Sequence, residues 1–230
     1  MKKTILFLFF LVFSLTIWSQ VRKNSDVDIN LLMNETQLTT NDPDMVNLIW
    51  WIPKEYWEIA FSEDPTITEN QIGEMMQIMS DYNVCAIVQG RMGLFGGVTY
   101  ETAEDLFKKT SMKDHYGDSH SPLERSDISA DMNNFLDIMK PIVANMLGNM
   151  GENFVFLVFD SKNSSNKLVV DSYKDHDFEI VLEGNESYKF DLPFSALLEP
   201  KTCPKDNEKL NGKWNYCPYH GEALNEQKAK

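Results

Sequence analysis

Two uninterrupted apolar runs, 84–89 (VCAIVQ) and 154–160 (FVFLVFD), do most to restrict what this chain can fold into. Both are too short for a buried helix and are dominated by β-branched and aromatic residues. Each therefore reads as a strand buried on both faces, the second as a central one. Around them the apolar spacing changes to that of helices. Ile72, Met75, Met76 and Met79 fall at i, i+3, i+4 and i+7, behind a capping box made by Thr68 and Gln71. Met132, Phe135, Leu136, Met139, Val143, Met146, Leu147 and Met150 hold a 3-4-3 spacing. That stripe predicts the longest helix, over 129–150, packed on a sheet containing both runs. Pro141 should bend it, and Gly148 and Gly151 should close it.

The remaining signals are shorter. MVNLIWWIPKEYW, starting at Met45, predicts a strand over 46–52 entering a core, ended by Pro53 and followed by a helical turn. Residues 90–97 turn the chain into a return strand at Val98–Tyr100, and residues 102–109 form a short helix. Residues 110–128 are polar and irregular. Further strands are expected at 167–171, 178–182 and 188–191, the last two joined through Gly184–Asn185. No βαβ rhythm and no internal repeat is visible. The expected class is α+β: a mixed or antiparallel sheet packed with two to three helices.

Residues 1–19 have the layout of a signal peptide. Lys2 and Lys3 precede an apolar run from Ile5 to Ile17, which is shorter than the roughly 20 residues a membrane span needs. Ser19–Gln20 is an acceptable exit. The expected location is the periplasm or the exterior, with no membrane span after signal removal; an uncleaved anchor is the alternative. Residues 20–44 are mostly polar and are expected to form a flexible leader, since Leu31, Leu32 and Met33 offer little surface to offset ordering entropy. The α+β domain is then 45–200.

Charge excludes some partners. With 35 acidic against 21 basic side chains in 230 residues, the net charge is −14. No basic surplus exists to grip nucleic acid phosphates or anionic lipid, so the expected partner is a protein or an envelope ligand. Gly90, Gly93, Gly96 and Gly97 precede Val98–Thr99 without a lysine, so they suit a hairpin and not a phosphate loop. G-x-S-x-G, H-E-x-x-H, kinase and dinucleotide signatures are absent. A hydrolase using carboxylates such as Glu55 or Asp114, or the His115–His120 loop, remains the alternative to a non-enzymatic binding or assembly module. His115, Asp118 and His120 could hold a divalent ion, though a solvated loop is the simpler reading. Cys85, inside an apolar run, reads as a buried small hydrophobe.

The C-terminus carries the most specific signal. Cys203-Pro204 is followed by Cys217-Pro218-Tyr219-His220-Gly221. Proline after the first ligand and glycine after the second fit a metal knuckle, in which turned-back amides approach the sulfur. The first knuckle departs from that pattern, with Asp206 and Asn207 where a ligand and a glycine would stand. Residues 201–224 resemble a zinc ribbon with paired rubredoxin-type knuckles. The resemblance implies zinc, held in a structural site by Cys203, Cys217 and His220, with Asp206 or a water in the fourth position. It also implies a small hairpin between the knuckles, where Gly212 turns the chain and Trp214 covers it. A Cys203–Cys217 disulfide is the competing reading for an exported chain, and a ribbon without metal is a third. With its leader, WWIPKEYW opening and knuckle ending, the chain resembles, over 45–221, a family of exported bacterial proteins. That resemblance implies no activity.

Overall fold

The VCAIVQ run lies at the centre of the observed architecture. The computed structural model describes residues 21–182 and 186–225; residues 1–20, with the expected signal peptide, and the Gly184–Asn185 turn lie outside them. The chain order is α1 (Ile29–Glu35), β1 (Gln37–Thr39), β2 (Met45–Ile52), α2 (Lys54–Ser62), α3 (Glu69–Met79), β3 (Tyr82–Met92), β4 (Val98–Tyr100) and α4 (Ala103–Lys109). It continues through β5 (Ser111–Lys113), β6 (Ser119–His120), α5 (Ala130–Met146), β7 (Val155–Asp160), β8 (Asp177–Leu182), β9 (Glu186–Asp191), β10 (Lys201–Thr202) and β11 (Lys209–Leu210). The class is α+β, and all of these strands pair antiparallel.

There are two main sheets where one was expected. The first has the order β1-β2-β3-β4, with β7 also on β3; the second is β6-β5-β8-β9. Alternation along β2 sends its two tryptophans to opposite faces. Trp50 meets Tyr56 of α2 edge-on at 5.3 Å, on the helix side. Trp51 meets Phe178 at 4.9 Å and Phe194 at 5.7 Å, on the side of the second sheet. The result is three layers, helices on sheet on sheet. Residues 83–90 of β3 are buried throughout, as a middle layer requires.

The helices form where their caps and stripes predict. Thr68 and Gln71 make the reciprocal capping box of α3. Met132, Leu136, Met139 and Val143 bury the inner face of α5, and Phe135 meets Trp57 at 5.2 Å. Pro141 sits inside α5, which ends at Met146, so Met150 falls in a 3-10 turn over Gly148–Asn153. Gly148 has φ +57. Gly151 lies so close to Ala144 that an added Cβ would stand 1.9 Å from its carbonyl oxygen.

Four expectations need correction. Residues 21–44 are not a flexible leader. Asp28 caps α1 by accepting from the amides of Asn30 and Leu31, Leu32 is fully buried, and β1 pairs with β2 with Gln37 opposite Trp50. One buried leucine and an edge pairing order a segment whose composition alone could not. The 154–160 strand is at an edge, not central: it pairs with β3 on one side, and on the other the Leu123 amide donates to the Val158 carbonyl at 2.7 Å. Residues 167–171 make one bridge, Lys162 with Leu168, and no strand; Val169 and Val170 are apolar because they fill the core. The polar stretch 110–128 holds β5 and β6, and with α1 and α4 the described α-helices number five.

Candidate metal centre

The C-terminal segment is built from two copies of one small turn. In the first, the Cys203 amide donates to the Glu208 carbonyl at 2.9 Å, and the Asn207 amide to the Cys203 carbonyl at 2.9 Å. In the second, the Cys217 amide donates to the Glu222 carbonyl at 2.8 Å, and the Gly221 amide to the Cys217 carbonyl at 2.8 Å. Asn207 has φ +62 and Gly221 φ +67. Glycine reaches that left-handed conformation freely, and asparagine is among the few other residues that tolerate it. Outside each turn a short antiparallel pairing closes the knuckle: Thr202 with Lys209, and Tyr216 with Ala223. A further bridge, Thr202 with Asn225, ties the two together through amide-to-carbonyl bonds of 2.8 and 2.9 Å.

This arrangement brings the predicted ligands to one point. Both sulfurs are buried, and Leu210 and Leu224 pack against them. His220 Nδ1 lies 3.5 Å from Cys203 Sγ and 3.6 Å from Cys217 Sγ. For a tetrahedral zinc ion with Zn–S about 2.3 Å and Zn–N about 2.05 Å, the sulfur–nitrogen edge is about 3.6 Å. The three ligand atoms lie within 4.8 Å of one another, and among the described residues they form the one such group of three His, Cys, Asp or Glu side chains. The group could bind a metal ion. The cysteines are free, so the Cys203–Cys217 disulfide is not formed.

Asp206 stands beside this group, on the His220 side, and is not one of the donors that all lie within 4.8 Å of one another. Its Oδ2 lies 3.5 Å from His220 Nδ1, and its Oδ1 accepts from the Glu208 amide at 3.0 Å. That amide and the Cys203 thiol hold the Asp206 carboxyl below its usual range. Burial pushes the Cys203 thiol up, against the amides of Lys205 and Asp206, which point at its sulfur. A cation would reverse that balance, since thiolate is the ligating form.

The hairpin expected between the knuckles is not where the resemblance implies. Trp214 is 43% exposed, while Gly212 stands so near Glu199 that an added Cβ would meet its carbonyl oxygen at 2.5 Å. That glycine seats the linker on the main domain. The sequence carries a short duplicated unit, against the expectation of no internal repeat: residues 201–210 and 215–224 match at Cys203/Cys217, Pro204/Pro218, Glu208/Glu222 and Leu210/Leu224.

The other candidates disperse. Asp114 is buried and staples its own loop, its Oδ1 accepting from the amides of Tyr116 and Asp118 at 2.9 Å and its Oδ2 lying 3.1 Å from His120 Nε2. Burial works against its charge, but His120 and the amides of Asp118 and Tyr116 hold the carboxyl below its usual range. His115 turns away to His176, with ring centroids 4.6 Å apart, so His115, Asp118 and His120 do not converge. Glu55 is buried beside a cavity of about 80 Å³ and accepts from the Ser172 hydroxyl at 3.1 Å; burial pushes its carboxyl up. Cys85 is fully buried and its thiol is pushed up by burial, as a core hydrophobe. No protein-family model, no curated protein and no solved structure matches the chain.

Proposed function

We propose that the protein is exported and works as a non-enzymatic binding or assembly module of the cell envelope or its exterior, with a structural zinc ion in its C-terminal knuckles. The observation that carries the metal reading is the pair of sulfur–nitrogen separations, 3.5 and 3.6 Å, at the edge length of a zinc tetrahedron. Export is supported by the lysine-led apolar run at 2–17, and a non-nucleic-acid partner by the net charge of −14. The structural role follows from size: residues 201–225 have a core of two cysteines and two leucines, and crosslinking by a metal supplies what such a core lacks.

The test is elemental analysis of the purified chain, with thiol titration of denatured protein with and without reductant. One zinc per chain with three titratable thiols supports the reading; no metal, with one thiol rising to three on reduction, overturns it. N-terminal sequencing of the exported protein should begin near Gln20, and an intact Met1 in the membrane fraction would reject cleavage.

A hydrolase remains the second reading, on one observation: Glu55 is a carboxyl pushed up by burial at the wall of a cavity with Ser172, Asn83 and Ser161. Turnover of ester or glycoside substrates by the wild type, abolished in Glu55→Gln, would favour it over the binding module.

A further inference from the structure

We propose that Asp206 is the fourth metal ligand, through Oδ2, in a centre made by internal duplication, residues 201–210 and 215–224 each giving one thiolate and one further donor. The inference rests on the metal reading above and goes beyond it, because a site with three protein ligands would leave the fourth position to water.

The two units agree bond for bond. Cysteine amide to the carbonyl five residues on, the fourth residue's amide back to the cysteine carbonyl, a positive φ at that fourth residue, and a closing pair one residue outside the cysteine all recur at a spacing of fourteen. The outer contact recurs as well: Lys201 pairs with Leu210, and the Leu224 amide donates to the Asn215 carbonyl at 2.9 Å. The backbone at 206 therefore stands to Cys203 as the backbone at 220 stands to Cys217. Asp206 and His220 are the equivalent residues: His220 Nδ1 reaches the other knuckle's Cys203 Sγ at 3.5 Å, and Asp206 Oδ2 reaches His220 Nδ1 at 3.5 Å.

The carboxylate is also oriented for one-oxygen ligation. The Glu208 amide holds Oδ1, which fixes the plane of the group and leaves Oδ2 on the side of His220 Nδ1. A contact of this kind to a ligand's other atom is what positions metal-bound carboxylates. The Oδ2 to Nδ1 separation of 3.5 Å is close to the roughly 3.4 Å edge set by zinc–nitrogen and zinc–oxygen bonds of about 2.05 Å. The Asp206 and His220 side chains are partly exposed, at 38% and 27%, whereas the sulfurs are buried. Metal enters from the Asp206–His220 side.

The duplication makes a demand that a chance acidic neighbour does not: the two non-sulfur donors should be interchangeable. The test uses the full chain stripped of metal and titrated with Co²⁺, read by its visible absorption and by competition with a chelator. The wild type is expected to bind one Co²⁺ with the strong bands of a four-coordinate site. Asp206→Ala should weaken binding at least about tenfold and lower the band intensity as water enters. Asp206→His should bind at least as tightly as the wild type, which separates a lost ligand from a lost fold. The swap Asp206→His with His220→Asp should return to within a few-fold of wild-type affinity. An Asp206→Ala variant with unchanged affinity and spectrum overturns the fourth ligand, and a swap that binds no metal overturns the duplication. A wild type that binds no metal refutes the zinc reading itself.

Discussion

The indole N–H of Trp50 donates to the hydroxyl of Thr36 at 3.1 Å, wholly inside the protein. Thr36 ends α1 and its hydroxyl in turn reaches the carbonyls of Leu32 and Met33. The bond joins the segment before Met45 to the middle of the first sheet. Thr36→Val keeps the shape and removes the acceptor, leaving a buried donor unpaired. The expected loss is about 1–3 kcal/mol in urea denaturation. A variant as stable as the wild type would show that water replaces the hydroxyl.

Leu32 is fully buried on the same helix. Leu32→Ala should cost about 3 kcal/mol, the range for a leucine deleted from a packed core. A change below about 0.5 kcal/mol, in the range of a surface substitution, would mean that residues 29–35 detach in solution.

Two glycines should respond in opposite directions. Gly151→Ala forces its methyl onto the Ala144 carbonyl and should destabilise by about 3 kcal/mol or more. Gly73, inside α3, has nothing within 4 Å of an added Cβ, so Gly73→Ala should stabilise by about 1 kcal/mol through helix propensity. Thermal melts of the pair check both, and equal shifts would contradict the geometry.

Asp114 gives the pH dependence a direction. Its carboxyl is held below the usual range in the folded state, so its contribution is present above about pH 4, the unfolded carboxylate value, and is lost as pH falls through the folded one. Asp114→Asn should therefore be less stable than the wild type at pH 7, with the gap narrowing toward pH 3. A gap that widens on acidification would contradict the His120 and amide contacts as its cause.

What could be read in the sequence was local. The Thr68–Gln71 box and the Met132–Val143 stripe are satisfied within one helix, and the VCAIVQ run is apolar enough to announce two covered faces wherever the sheets lie. The failures were relational. Leu31, Leu32 and Met33 are a short apolar patch in a polar stretch, and what orders their segment comes from far along the chain: Trp50 on Thr36, and Ser195 and Ala196 on Glu35. FVFLVFD reads the same at an edge as at a centre, because the covering contact comes from Leu123, some thirty residues earlier. At the metal centre, Cys203, Cys217 and His220 were legible from their proline and glycine neighbours. The repeat was obscured because Asp206 and Asn207 keep the turn's shape with different residue types, and shape is not composition.

The amide of Leu123 on the Val158 carbonyl has a consequence for solubility. FVFLVF carries no charge, no proline and no glycine, and it lies at the border of its sheet, the makeup of a segment that templates cross-β growth. One backbone bond in the middle of that border occupies a carbonyl that an incoming strand would need. The loop leading to α5 therefore acts as a guard against polymerisation, and a chain in which it is cut or loosened would present its stickiest six residues to its neighbours.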